Sequence, residues 1–296
     1  MMKNTLKSGG GFRMKAVVHL GFPKTASSTL QFGPLLELDR AGIINLMTWR
    51  KGDADECLDD RPSSRLFRGL QIGDRYRNLR ANVLNVLSDE SFTAPMRLRK
   101  CNFGEHIVNP IKFPSEIRRQ LIDASDGNPI EFHWVIVIRR QASLIASQYV
   151  EEYSWKRFKG IDLLFNKNGA VDLSGYEIYN FSEYIKQFEQ YKNDYGDKLS
   201  VLLYEDMLSE GESFFSLLDN IFDVEAGFFG RSFTGNFHNA KKKSKLGTFT
   251  KDNKYFVPSL RDEVLDLIDS HFMASNKGLV KYFSQEKLLR YGYIRS

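Results

Sequence analysis

Short apolar runs alternate along this chain with longer stretches whose apolar residues recur every three or four positions. That alternation is the tightest constraint on the fold, because buried parallel strands need crossover connections, and helices of that period supply them. The expected strands are Ala16 to Leu20, Ile43 to Met47, Val83 to Leu87, Trp134 to Ile138 and Leu199 to Tyr204. Expected helices carry Phe181, Tyr184, Ile185, Phe188 and Tyr191, then Phe214, Phe215, Leu218, Ile221 and Phe222, then Leu260, Val264, Leu265, Ile268 and Phe272. The class is α/β, three layers with a central, mostly parallel sheet flanked by helices.

A chain of 296 residues, 42% hydrophobic, can bury a substantial core. No linker composition divides it, so a single domain is expected over residues 14–296 behind a flexible lead-in at 1–13 that ends in Gly9, Gly10 and Gly11. Residues 51–80 form a charged excursion, acidic at Asp53 to Asp60 and basic from Arg61 to Arg80. It reads as a solvated surface segment or as a wall for a bound acceptor. The net charge of +5 is too small for a dedicated nucleic-acid binder, although it suits an anionic ligand. Cys57 and Cys101 stand alone, which argues against a zinc site or a disulfide framework and for a reducing compartment. With no apolar leader and no long apolar run, a cytoplasmic protein without a transmembrane segment is expected.

The segment HLGFPKTASSTLQ, His19 to Gln31, follows the first expected strand directly and precedes a helix-compatible stretch. Backbone N–H groups and the positive end of a helix at that place hold phosphates. Lys24 adds a mobile cation, and Thr25, Ser27, Ser28 and Thr29 add hydroxyl donors. The nucleotide-triphosphatase pattern G-x-x-x-x-G-K-[ST] is absent, because Gly21 precedes Lys24 by only three residues and no Gly-Lys pair occurs. Gly33-Pro34 interrupts the helix that should follow, so that helix is expected to be short or kinked.

P-K-T-A-S-S-T-L-Q, from Pro23, resembles the loop of the sulfotransferases that use 3'-phosphoadenosine 5'-phosphosulfate, whose usual form is P-K-[ST]-G-[ST]-[ST]; Ala26 stands where that family has glycine. A second stretch, WVIVIRRQASLIASQY, is similar to the family's 3'-phosphate element R-N-P-x-x-R-x-x-S-x-Y, with Arg139, Ser147 and Tyr149 on matching positions. Arg140 and Gln141 replace Asn-Pro there, and Leu144 replaces the second arginine, which brings Arg140 in as a substitute cation. VLLYEDM, Val201 to Met207, resembles the late strand ending in Tyr-Glu-Asp, and SNKGLVKYF, Ser275 to Phe283, a C-terminal segment of the bacterial members. AKKKSKLG, Ala240 to Gly247, stands where the family has a basic loop, which makes Lys242, Lys243, Ser244 and Lys245 candidates for the 3'-phosphate or simply a solvated lysine run. The resemblance is to the bacterial, carbohydrate-type members, spans about residues 14–290, and implies a P-loop-like fold.

It also implies a reaction. Transfer of a sulfuryl group to a hydroxyl needs neutralisation of the leaving phosphate and removal of the acceptor proton. The resemblance gives the first task to Lys24, with Thr25, Ala26, Ser27, Ser28, Arg139, Ser147, Lys243 and Ser244 binding the donor and no metal required. For the second, VLSDESF puts Asp89 and Glu90 at a strand end like the family's Ser-x-Glu, while Glu105 and His106 in NFGEHIVNP compete. The expected acceptor is a hydroxyl on a sugar, a glycan or a glycolipid precursor. A P-loop phosphotransferase and a non-catalytic anion- or nucleic-acid-binding module are the other readings.

Overall fold

The structure is a computed structural model that describes residues 13–22, 24–48, 61–89, 92–93, 109–155, 164–233, 243–244, 247–249, 256–257 and 259–295. Five parallel strands make the central sheet: β1 (Met14–Gly21), β2 (Ile44–Thr48), β3 (Leu84–Asp89), β4 (Ile130–Ile138) and β5 (Lys198–Leu203). Their order is β2-β3-β1-β4-β5. All five expected strands are present within a few residues of their expected bounds. Tyr204 is the exception in kind: it opens a helix rather than closing β5, because Glu205 and Asp206 follow it in a helical first turn.

In chain order the helices are α1 (Ser27–Phe32), α2 (Pro34–Arg40), α3 (Pro62–Phe67), α4 (Phe113–Asp123), α5 (Gln141–Trp155), α6 (Phe181–Tyr195), α7 (Tyr204–Ser209), α8 (Gly211–Phe222), α9 (Phe228–Ser232), α10 (Asp262–Asn276) and α11 (Gln285–Arg290). The strand residues alternate between two cores. Val18, Leu20, Trp134, Ile136 and Leu203 pack with α4, α5, α6 and α10 on one face. Val17, Val86, Val135 and Leu202 pack with α1, α2 and α8 on the other. This is the expected three-layer, P-loop-like arrangement, and burial on both faces explains why the strands read as near-continuous apolar runs. Among the described residues, no helix is long and apolar enough to cross a membrane.

The break between α1 and α2 falls at Gly33-Pro34, as expected. A side chain at Gly33 would place its Cβ 2.8 Å from the Thr29 carbonyl oxygen, so only glycine lets the chain turn there. In the charged stretch 61–80, Arg75 and Arg80 are exposed, while Leu66, Phe67, Ile72 and Tyr76 are buried in the sheet-face core and Phe67 meets Phe113 edge-on at 4.7 Å. Apolar residues interleaved among the arginines drive that burial. Residues 1–12 and 51–60, Cys57 and Cys101 lie outside the described residues.

Candidate anion site

β1 and β4 are neighbours, with Gly21 opposite Val137, and their connections leave in opposite directions: the chain passes from β1 toward β2 and β3, and from β4 toward β5. A crevice at such a switch point, at the strand C-terminal ends, is where open α/β sheets hold ligands. The Lys24 loop and Arg139 both sit there.

The loop is a tight, internally bonded turn. Thr25 donates both its N–H (3.3 Å) and its hydroxyl (2.6 Å) to the Phe22 carbonyl, and its hydroxyl lies 3.2 Å from that of Ser27. Phe22 is fully buried against Phe181 (4.9 Å), Tyr184 (5.4 Å) and Tyr179 (5.8 Å), which fixes the loop's entry. Thr93 donates to the Gly21 carbonyl at 3.0 Å from the other side. The half-buried Lys24 and Ala26 both have left-handed backbones, φ 67° and 61°. Such a conformation costs an L-residue roughly 1–2 kcal/mol, so Ala26→Gly should stabilise the chain by about 1 kcal/mol. A denaturant midpoint that stays level or falls in that variant would contradict this account of the loop. Thr25 and Ser27 are buried with hydroxyls engaged inside the turn, while Ser28 is more accessible on the first turn of α1.

Arg139 follows the last residue of β4. Its Nη1 donates to the Lys24 carbonyl (2.9 Å) and its Nε to the Ser143 hydroxyl (2.9 Å), and the guanidinium lies 4.6 Å from the centre of the Tyr204 ring. Among the described residues no carboxylate forms an ion pair with it. Burial pulls its pKa below the usual arginine value, partly countered by the fields of Tyr204, Glu205 and Tyr293. Ser143, the partner of Arg139, stands one turn into α5, and Ser147 lies a further turn along. Leu144 is buried in the core. Arg140 is not the substitute cation: its Nε donates to Asp269 at 3.2 Å, its Nη2 bonds the second oxygen of the same carboxylate, and the pair turns it toward α10.

Lys243 and Ser244 form β6, which with β7 (Gly247–Phe249) and β8 (Phe256–Val257) makes a small antiparallel sheet beside α5. Glu90, Glu105, His106, Lys242 and Lys245 lie outside the described residues. Asp89 is buried at the end of β3, opposite Leu20, and its carboxylate accepts the Ser63 N–H at 3.0 Å. That bond satisfies an otherwise unpaired amide in the first turn of α3, a structural task. Among the described residues no group of three or more His, Cys, Asp or Glu could hold a metal ion.

His19 hydrogen-bonds near the end of β1. Its Nδ1 lies 2.8 Å from the Ser88 hydroxyl, which also accepts from Gln31 at 2.9 Å. Burial lowers its pKa from 6.5 to about 4, so the folded state disfavours the imidazolium and the unfolded chain binds the extra proton. Stability contributed by neutral His19 is complete above pH 6.5 and is lost as pH falls toward 4, by about 3 kcal/mol. Denaturant unfolding at pH 7 and pH 4.5 should show this loss in the wild type and a smaller one in His19→Gln; equal losses would contradict it.

No protein-family model matches the chain, and no curated protein matches it in sequence. Solved structures similar to it include a sulfotransferase from Alicyclobacillus acidocaldarius, at 9% identity over 89% of this chain and 94% of that one, TM-score 0.47. Another is the mouse sulfotransferase SULT7A1 complexed with PAP, at 10% identity over 95% of this chain and 88% of that one, TM-score 0.42. A third is the sulfotransferase domain of the Synechococcus PCC 7002 olefin synthase, at 9% identity over 91% and 98%, TM-score 0.36.

Proposed function

We propose that this chain transfers a sulfuryl group from 3'-phosphoadenosine 5'-phosphosulfate to a hydroxyl of a sugar, glycan or glycolipid precursor. The observation that carries the reading is Arg139: a desolvated guanidinium with no carboxylate partner among the described residues, tied to the carbonyl of Lys24 at the β1–β4 switch point. A half-buried guanidinium that no ion pair neutralises among the described residues is costly, and an anionic ligand offsets that cost. Arg139 would hold the 3'-phosphate, and Lys24 with the Thr25–Ser28 turn the 5'-phosphosulfate; Ser147 on α5 and Lys243 and Ser244 on β6 are proposed to complete the donor site. The bound donor supplies an activated sulfuryl group whose transfer needs no redox chemistry.

Lys24 would neutralise charge on the oxygen that leaves. A sulfuryl group carries less negative charge than a phosphoryl group, so a lysine and backbone donors are proposed to suffice without a metal. Glu90, the residue after buried Asp89, is the proposed base, with His106 its competitor. The test is a panel of hydroxyl acceptors incubated with sulfur-labelled donor in excess chelator and read by mass. A sulfated product supports the reading. Turnover that appears only on adding Mg²⁺, with a phosphorylated product, would replace it with phosphotransfer, and comparing Glu90→Gln with His106→Ala assigns the base.

A further inference from the structure

We infer that Glu205 and Tyr293 are positioning residues for Arg139, so that the C-terminal segment is a built part of the anion site. The inference rests on the donor reading of Arg139. Glu205 stands on the first turn of α7, and both its carboxylate oxygens are spent. Oε1 accepts the backbone N–H of Arg140 at 3.0 Å, and Oε2 accepts the Tyr293 hydroxyl at 3.0 Å. The carboxylate therefore fixes the peptide that follows Arg139 without taking up the guanidinium. Its charge still favours the cationic form of Arg139 through space.

The surroundings hold that peptide from three further directions. Arg140 is clamped by the buried carboxylate of Asp269 on α10. Gly292, at φ +75°, lies so flat against it that an added Cβ would be 3.1 Å from its Cζ. Gln141, the first residue of α5, exchanges two hydrogen bonds with Asn276 (2.7 and 3.0 Å), and Asn276 donates to the Tyr293 carbonyl at 2.9 Å. Tyr293 is buried, and neither it nor Glu205 bonds the Lys24 loop among the described residues. Apolar packing would serve mere stability as well as a buried carboxylate does. A carboxylate whose oxygens fix the Arg139–Arg140 peptide suits the task of aiming a guanidinium at a ligand.

The test uses the full chain and two probes, 3'-phosphoadenosine 5'-phosphate and 5'-AMP, with affinities from calorimetry and melting temperatures alongside. In the wild type the first binds more tightly and Arg139→Ala removes that preference. Tyr293→Phe, which deletes one oxygen, should reduce the preference about fivefold to tenfold, and Glu205→Ala by roughly tenfold to a hundredfold, the range seen for groups that orient a ligand-binding residue. Glu205→Gln should restore most of it, since its amide oxygen still accepts the Arg140 N–H. Affinity for 5'-AMP should not change in any of them. An unchanged preference in Tyr293→Phe and Glu205→Ala, while Arg139→Ala abolishes it, overturns the inference alone. Parallel weakening of both probes with a lowered melting temperature also overturns it, by showing a purely structural role. A wild type without preference overturns the donor reading, and this inference with it.

Discussion

Lys24→Ala is expected to lower turnover about a hundredfold to a thousandfold while changing affinity for 3'-phosphoadenosine 5'-phosphate by less than about tenfold, the pattern of a charge whose contact strengthens only as the leaving group departs. The backbone that carries this side chain is held by bonds of its own. The backbone of Lys24, at φ 67°, is held through its carbonyl by Arg139, and the turn before it by Thr25 and the buried Phe22 ring. Removing the side chain beyond Cβ touches none of these bonds, and alanine meets the same left-handed backbone that lysine does. Single-turnover transfer of labelled sulfate separates the chemical step from release. Equal losses in affinity and turnover would make Lys24 a binding residue only.

Arg139→Ala is expected to weaken 3'-phosphoadenosine 5'-phosphate binding by about 2–4 kcal/mol, some thirtyfold to a thousandfold, and to leave 5'-AMP nearly untouched. Two consequences act together in this variant: the cation on the Tyr204 ring is lost, and the Lys24 carbonyl loses its donor. Arg139→Lys separates them, because it restores charge but cannot donate in a fork or bridge Ser143 and Lys24 at once. It should recover only part of the affinity. Full recovery would show that charge alone matters and that the geometry around Ser143 is incidental.

The layers of the fold were legible because parallel strands buried on both faces need apolar centres, and residues 16–18, 86–87, 134–138 and 201–203 supply them. The α1–α2 break was equally legible, since glycine and proline act locally. The partners that hold the site were not. Tyr204 was visible as part of a late strand, but only the turn into α7 sets its ring beneath Arg139. Ser143 and Ser147 differ by one helical turn, and motif spacing cannot say which reaches back to the strand end. The run of arginines after Arg61 drew attention to charge, whereas Leu66, Phe67, Ile72 and Tyr76, scattered between them without a strong period, decide where that segment packs. Phe22 sits inside the conspicuous loop, yet its anchors come from Tyr179 to Tyr184, more than 150 positions away in the chain.

The central claim is that the β1–β4 switch point, through Lys24 and Arg139, reads a nucleotide carrying both a 5'- and a 3'-phosphate. Calorimetry of the wild-type chain with 3'-phosphoadenosine 5'-phosphate and with 5'-AMP, side by side at one ionic strength, tests it most directly. The account predicts that the bisphosphate binds tighter by roughly thirtyfold or more, the contribution of one desolvated charged contact. Equal affinities for the two nucleotides would contradict it.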